Sequence, residues 1–289
     1  MDARALTIRP VTGVLGAEVG GVDLSEPLDD ATIGGLRRAL VEHQVLFFRD
    51  QPMTADEQVR FARYFGEIDE PLFRTTASER PEILVLDQVA PKGEGADSWH
   101  ADNTYMESPP MASILQALVL PDVGGDTCWA SMAAAYEALS PAMQEMLSGL
   151  SAVHSLELMV ERTKHVANAS LREATEKWPP VVHPVVRVHP ENGRRMLNVN
   201  SNWTSHIVEL TRAESRALLD LLFDHVRSPE FQVRFHWEVA SVAFWDNRAV
   251  QHYAVPDYTE RRVMQRITLA GDRPYGPRHS LTVAQVPAS

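Results

Sequence analysis

The stretch "ERRVMQRITLAG", residues 260–271, decides the fold. Its side chains alternate with a period of two, with Arg262, Met264 and Arg266 on one face and Val263, Gln265 and Ile267 on the other. This predicts a strand over 263–271. Met264 lies between the two arginines, so that face is not an ordinary solvated row of charges. If it turns inward, two guanidinium groups leave water, and an unpaired buried charge is too costly to persist. Two kinds of partner satisfy them: a bound anion, which a guanidinium grips through two parallel hydrogen bonds, or neighbouring carboxylates such as Asp257 and Glu260.

Working outward, "WDNRAVQHYAVPDY" (245–258) carries His252 just before this strand, and "WHADNTY" (99–105) places His100 and Asp102 two residues apart. On an extended chain that spacing turns both side chains to one face, with Ala101 pointing away. Two imidazoles and one carboxylate form the facial triad that leaves open positions on non-haem Fe(II). Catalytic zinc more often takes three histidines or two with a glutamate. A lone His-x-Asp is a weak signal, since His183, His189 and His236 also fall in strand-like runs.

Further strands are expected at 112–120, 183–189, 195–201, 231–237 and 241–246, separated by turn formers such as Pro190-Glu-Asn-Gly193. Helices are expected after Thr54, where Glu57 completes a capping box, and after Thr211 with Glu214. Ser140-Pro141 with Gln144 is expected to open another in the same way. The first hundred residues and the 132–178 region are richer in helix, and strands dominate elsewhere from 112 onward. The expected class is mainly β with flanking helices, a single domain over 1–289 with helical insertions at about 132–178.

With 39 acidic against 27 basic residues the net charge is −12, and no basic block is present, which argues against nucleic acid or an anionic membrane as partner. No apolar run has the length of a signal peptide or of a bilayer span, so the chain is expected to be cytoplasmic. The single cysteine, Cys128, forms no intrachain disulfide and reads as a packed small hydrophobe rather than a catalytic thiol.

These residues sit within a longer series: "TGVLGAEVGGVDL" (12–24), "HQVLFFRDQ" (43–51), "FARYFGEI" (61–68), "WHADNTYMESPP" (99–110), "LPDVGGDTCWASMAAAYEALS" (120–140), "HPVVRVHPENGR" (183–194), "FQVRFHWE" (231–238) and "WDNRAVQHYAVPDYTERRVMQRITLAGDRP" (245–274). In that order the series resembles the taurine dioxygenase (TauD/TfdA) family of Fe(II)- and 2-oxoglutarate-dependent dioxygenases, over nearly the whole chain. The resemblance implies a double-stranded β-helix, or jelly-roll, core of the cupin type. It implies Fe(II), 2-oxoglutarate and O2 as cofactors, and a homodimer or homotetramer. It implies that His100, Asp102 and His252 bind the metal, and that Arg262 takes the distal carboxylate of 2-oxoglutarate with help from Thr127. Arg266 matches the arginine that holds a substrate sulfonate, and Trp203 an aromatic wall residue.

The chain departs from the taurine enzymes where they contact the rest of taurine. Glu70 and Phe73 stand in place of a histidine and a tyrosine, Ala96 in place of an asparagine, and Met159 and Val160 in place of a Ser-Phe pair. The anion clamp is kept while polar contacts are lost, and each unsatisfied ligand group costs about 1–3 kcal/mol. The expectation is oxidation of a small organic anion other than taurine, an organosulfonate or alkyl sulfate, with succinate and CO2 released. Its body would meet Phe73, Trp203, Met159, Tyr105, Asn103 and Glu70. An aryloxyalkanoate or other carboxylate is the alternative substrate, and a non-catalytic metal- or 2-oxoglutarate-binding module the alternative of another class. Specificity is expected to lie in 70–98 and 155–182.

Overall fold

The computed structural model describes residues 5–69, 71, 78, 80–89, 97–162 and 174–277. Glu70, Phe73 and Ala96, and parts of the two expected specificity regions, lie outside the described residues.

The chain folds around a large sheet in which β1 (Thr7–Pro10), β2 (Ala17–Gly20), β3 (Val45–Phe48), β14 (Val242–Asp246), β6 (Ala112–Val119), β16 (Arg261–Leu269) and β4 (Ile68–Asp69) follow one another. β5 (Leu84–Val89) also pairs with β16. Facing it is a three-stranded sheet of β13 (Gln232–Phe235), β7 (Thr127–Ser131) and β15 (Val250–Ala254). Two small sheets extend this second layer: β10 (Val186–Val188) with β11 (Arg195–Leu197), and β8 (Ser151–His154) between β9 (Val181–Pro184) and β12 (Thr204–Ile207). This is the expected mainly β architecture with a jelly-roll core.

Alternation sorts the large sheet into two cores. Val45, Phe47, Leu115, Ala117, Ala243, Trp245 and Met264 face the second sheet, where they meet Trp129, Val233, Phe235 and Trp237. The intervening Leu46, Phe48, Ile114, Phe244 and Ile267 face outward, under Leu36 and Leu40 of α1 (Asp30–His43) and Val59 and Phe61 of α2 (Ala55–Arg63). Each large buried side chain contributes about 1.5–3 kcal/mol. A one-residue slip of β16 would exchange its two faces, so this burial also fixes which side Arg262 and Arg266 occupy.

Local signals account for most helix ends. The Thr54/Glu57 and Thr211/Glu214 capping boxes both close, the second opening α6 (Arg212–Val226). In α4 (Pro141–Leu147) Ser140 caps the Met143 N–H, but Gln144 is one residue too far to close a box and donates instead to the carbonyls of Tyr136, Glu137 and Leu139. The 132–178 insertion contains α3 (Met132–Glu137), α4 and α5 (Glu157–Arg162), but also the strand β8. The helix-rich first hundred residues likewise hold β1 to β5. The expected strand 183–189 is two strands, because the chain changes sheet at Val185, whose N–H goes to Leu150 and whose carbonyl goes to Asn198. The run 195–201 is a strand only through Leu197.

Candidate active site

His100 and His252 face each other across an isolated antiparallel bridge and exchange both backbone hydrogen bonds, at 3.0 and 2.7 Å. Asp102 is not on a strand as the spacing suggested. The chain turns there, with Asn103 in the left-handed region at φ 51°, a conformation asparagine tolerates. The turn still brings the carboxylate beside both rings: Asp102 Oδ1 is 3.8 Å from His100 Nε2 and 3.9 Å from His252 Nε2. All three side chains are buried, and one ligand atom from each lies within 4.8 Å of the others.

Supports that the spacing did not reveal hold the triad in place. The Asp102 N–H donates to Asn247 Oδ1 at 2.7 Å, and Asn247 Nδ2 donates back to the Asp102 and Pro110 carbonyls. Ser113 Oγ donates to Asp102 Oδ2 at 2.9 Å. His100 Nδ1 is 2.7 Å from the Ser98 carbonyl, which only accepts, so Nδ1 carries the proton and Nε2 the lone pair. Asn247 lies inside the quoted "WDNR" run, but only its partners reveal its task.

The charge states suit a cation. Burial pushes the Asp102 carboxyl up, yet Arg266, the two histidines and the Ser113 hydroxyl outweigh it and hold Asp102 well below the usual carboxylate range. Burial and the neighbouring His100 push the His252 imidazole down to about 3, so at neutral pH it offers a lone pair rather than a charge. One carboxylate and two neutral imidazoles on one side of a point fit Fe(II) with positions left open.

The two arginines of β16 occupy the same interior face as Met264, but not the carboxylates considered for them. Asp257 accepts from Gly125 N–H and Arg234, and Glu260 from Asp122 N–H. Arg262 is 4% exposed; its Nε donates to the Gly125 carbonyl at 3.1 Å, and its Nη2 is buried without a hydrogen-bond partner. Gly125, at φ +74°, is needed there: a Cβ would stand 3.1 Å from Arg262 Cδ. Thr127, on β7, is buried with its Oγ1 accepting from Trp237 Nε1 at 3.0 Å. Arg266 Nη1 donates to Asp102 Oδ1 at 2.9 Å, and Arg266 Nε is buried without a partner. An orphaned buried N–H on each guanidinium fits an arriving anion.

Beside Asp102 lies a separate apolar cluster of Tyr105, Leu156, Ala174 and Trp203, with Met159 packed against it. The Tyr105 and Trp203 rings meet edge-on at 4.8 Å, and Trp203 Nε1 donates to the Ala101 carbonyl, between the two ligand residues. Burial raises the Tyr105 phenol, so it stays neutral; Arg266 and Asp102 are the charges it feels. Cys128 is buried and its thiol is pushed up by burial, as expected of a packing residue.

Residues 7–268 match the family described as "Taurine catabolism dioxygenase TauD, TfdA family". The chain belongs to this family. It is 42% identical to the alpha-ketoglutarate-dependent sulfate ester dioxygenase of Pseudomonas putida, over 95% of this chain and 92% of that one. It is 40% identical to the alkylsulfatase of Acinetobacter baylyi, over 92% and 86%. A crystal structure of a taurine dioxygenase from Burkholderia xenovorans superposes with a TM-score of 0.80 at 38% identity, covering 94% of this chain and 93% of that one. This TauD/TfdA protein is an Fe(II)- and 2-oxoglutarate-dependent dioxygenase that uses O2 and acts on a small organic substrate. No described helix is long and apolar enough to cross a membrane.

Proposed function

We propose that the enzyme oxidises an alkyl sulfate or organosulfonate other than taurine, at a carbon next to the heteroatom. The carrying observation is Arg266: one arm of its guanidinium is committed to Asp102 while Nε stays buried and unpartnered, beside the apolar group of Tyr105, Trp203 and Met159. That arrangement suits an anionic head and an apolar body, and the sulfate ester and alkylsulfatase relatives favour sulfate as the head.

His100, Asp102 and His252 would hold the iron, and Arg262 with Thr127 the distal carboxylate of 2-oxoglutarate. Iron with 2-oxoglutarate and O2 supplies the oxidising power that replaces one substrate C–H by C–OH, with succinate and CO2 as the other products. The protein's part is placement. Arg266 anchors the head, so the carbon beside it is the one presented to the metal. Tyr105, Trp203 and Met159 exclude water from the body, and Asn103 shapes the turn that carries Asp102. A sulfate ester hydroxylated at the carbon bearing its oxygen breaks down to an aldehyde and sulfate. Glu70 and Phe73 stay candidates for substrate contact by resemblance. We further infer one domain over 1–289, a cytoplasmic location and a homodimer or homotetramer, the last checked by light scattering after gel filtration.

The test is anaerobic addition of Fe(II) and 2-oxoglutarate, followed by the weak visible charge-transfer band, with medium-chain alkyl sulfates, alkanesulfonates and aryloxyalkanoates added in turn. Sulfates or sulfonates should shift the band and, on admitting air, release sulfate or sulfite with succinate. Response to aryloxy acids alone would move the substrate to the carboxylates. A band with no turnover of any acid would point to a binding module, and no band with iron-loaded protein would overturn the site assignment.

A further inference from the structure

We propose that Trp237 is a positioning residue for the 2-oxoglutarate clamp, fixing which way the Thr127 hydroxyl points its proton. The inference rests on the reading that Thr127 and Arg262 hold the distal carboxylate. An indole N–H only donates, so the 3.0 Å contact from Trp237 Nε1 obliges Thr127 Oγ1 to accept. The hydroxyl proton is thereby turned away from Trp237, and among the described residues it is donated to no acceptor. A carboxylate also only accepts. A threonine hydroxyl without the indole could rotate and present a lone pair to that carboxylate; with it, the hydroxyl is set as a donor before the ligand arrives.

The same indole reaches the other half of the clamp. Arg262 Cζ lies 6.0 Å from the Trp237 ring centroid and 5.9 Å from that of Tyr258. With Nε on the Gly125 carbonyl, these rings leave the unpartnered Nη2 as the group to be completed by an anion. The strand register explains why one side chain touches both. Thr127 of β7 pairs with Phe235 of β13, so Trp237, two residues beyond Phe235, falls on the same inward face above Thr127. Trp237 also packs edge-on against Phe235 at 5.0 Å, so a role in packing alone must be separated from the role proposed.

Trp237→Phe keeps a ring and removes the donor; Thr127→Val removes the hydroxyl. Calorimetric titration of the anaerobic Fe(II)-loaded proteins with 2-oxoglutarate, and with oxalate, which chelates the metal but has no distal carboxylate, separates the roles. Trp237→Phe should weaken 2-oxoglutarate by about 5- to 10-fold, the size of one lost hydrogen bond, and leave oxalate unchanged. In the Thr127→Val background it should cost nothing more. Equal weakening of oxalate, or a full additional loss in the Thr127→Val background, would reduce Trp237 to packing. Loss with Thr127→Val but none with Trp237→Phe would overturn the proposal and leave the clamp intact. No loss with Thr127→Val would overturn the clamp reading itself. Should Trp237→Phe not fold, β-(3-benzothienyl)alanine at position 237, with sulfur in place of the N–H, gives the same comparison at unchanged shape.

Discussion

The two arginines on the inward face of β16 have different surroundings. Arg262 is enclosed at 4% exposure by the Gly125 carbonyl and the Trp237 and Tyr258 rings, with no acidic side chain forming an ion pair to it among the described residues. Arg266, four positions on, has a side chain 18% exposed and is paired with Asp102, at the side where Tyr105, Trp203 and Met159 gather. The enclosed arginine keeps its Nη2 buried without a hydrogen-bond partner. The other hydrogen-bonds the triad through Asp102, and its charge acts on the Tyr105 phenol of the apolar cluster. One strand thus carries an enclosed guanidinium near one end and a guanidinium paired with the triad further along.

The largest effect expected is at the triad, which Arg266 reaches through Asp102. Asp102→Ala should lower Fe(II) affinity by more than about 100-fold, beyond what loss of a supporting residue does, read by anaerobic metal titration. Arg262→Leu comes next. It should weaken 2-oxoglutarate by about 100-fold, the size of a lost charged hydrogen-bond pair, while metal affinity holds; equal loss of both would erase the distinction between the two ends. Arg266→Leu should raise KM for the organic anion by about 10-fold or more and leave 2-oxoglutarate affinity within a few-fold, with succinate still formed slowly in the absence of substrate. Asn247→Ala should reduce Fe(II) affinity by about 10-fold through Asp102, with the protein still folded by circular dichroism.

The smallest effect concerns pH and the two buried histidines beside Tyr105's segment. His154, whose Nδ1 lies 2.9 Å from Thr104 Oγ1, and His183, whose Nε2 lies 2.9 Å from the Met106 carbonyl, flank Tyr105's segment. Burial pushes His154 well below the ordinary 6.5, and burial brings His183 to about 4. Because the folded values lie below the unfolded ones, the unfolded chain binds the protons first. Stability is full above pH 6.5 and falls as the pH drops below it. Thermal melts from pH 7 to 5 check this, and His183→Gln should flatten the profile; an unchanged slope would detach these histidines from it.

Much of this was legible in the chain. Period-two alternation around 263–271 marked the strand found at Arg261–Leu269 and put Arg262, Met264 and Arg266 on one face, because side chains alternate along a strand; burial in the fold decides that this face is the inward one. Thr54 and Thr211 marked their helices because capping is satisfied within four residues of sequence. The triad was readable from residue type and from the resemblance carried by the surrounding motifs. Other features were not legible. The split of 183–189 at Val185 depends on which sheet each half meets, and the hydrophobic pattern is the same for both. Asn247, Ser113 and Trp237 have ordinary surroundings in sequence, and their tasks exist only through partners 11 to 145 residues away.

The sequence by itself therefore determined the family, the mainly β class, the residue types of the triad and the row of two arginines on one face of a strand, since each is encoded in short-range spacing or in motif order. Only the tertiary structure decided that Asp102 reaches the histidines from a turn, that Arg266 shares its carboxylate, and that Arg262 stands enclosed with an N–H still to be satisfied. Hydrogen-bond satisfaction and desolvation act between groups that meet in space, and no periodicity along the chain records those meetings.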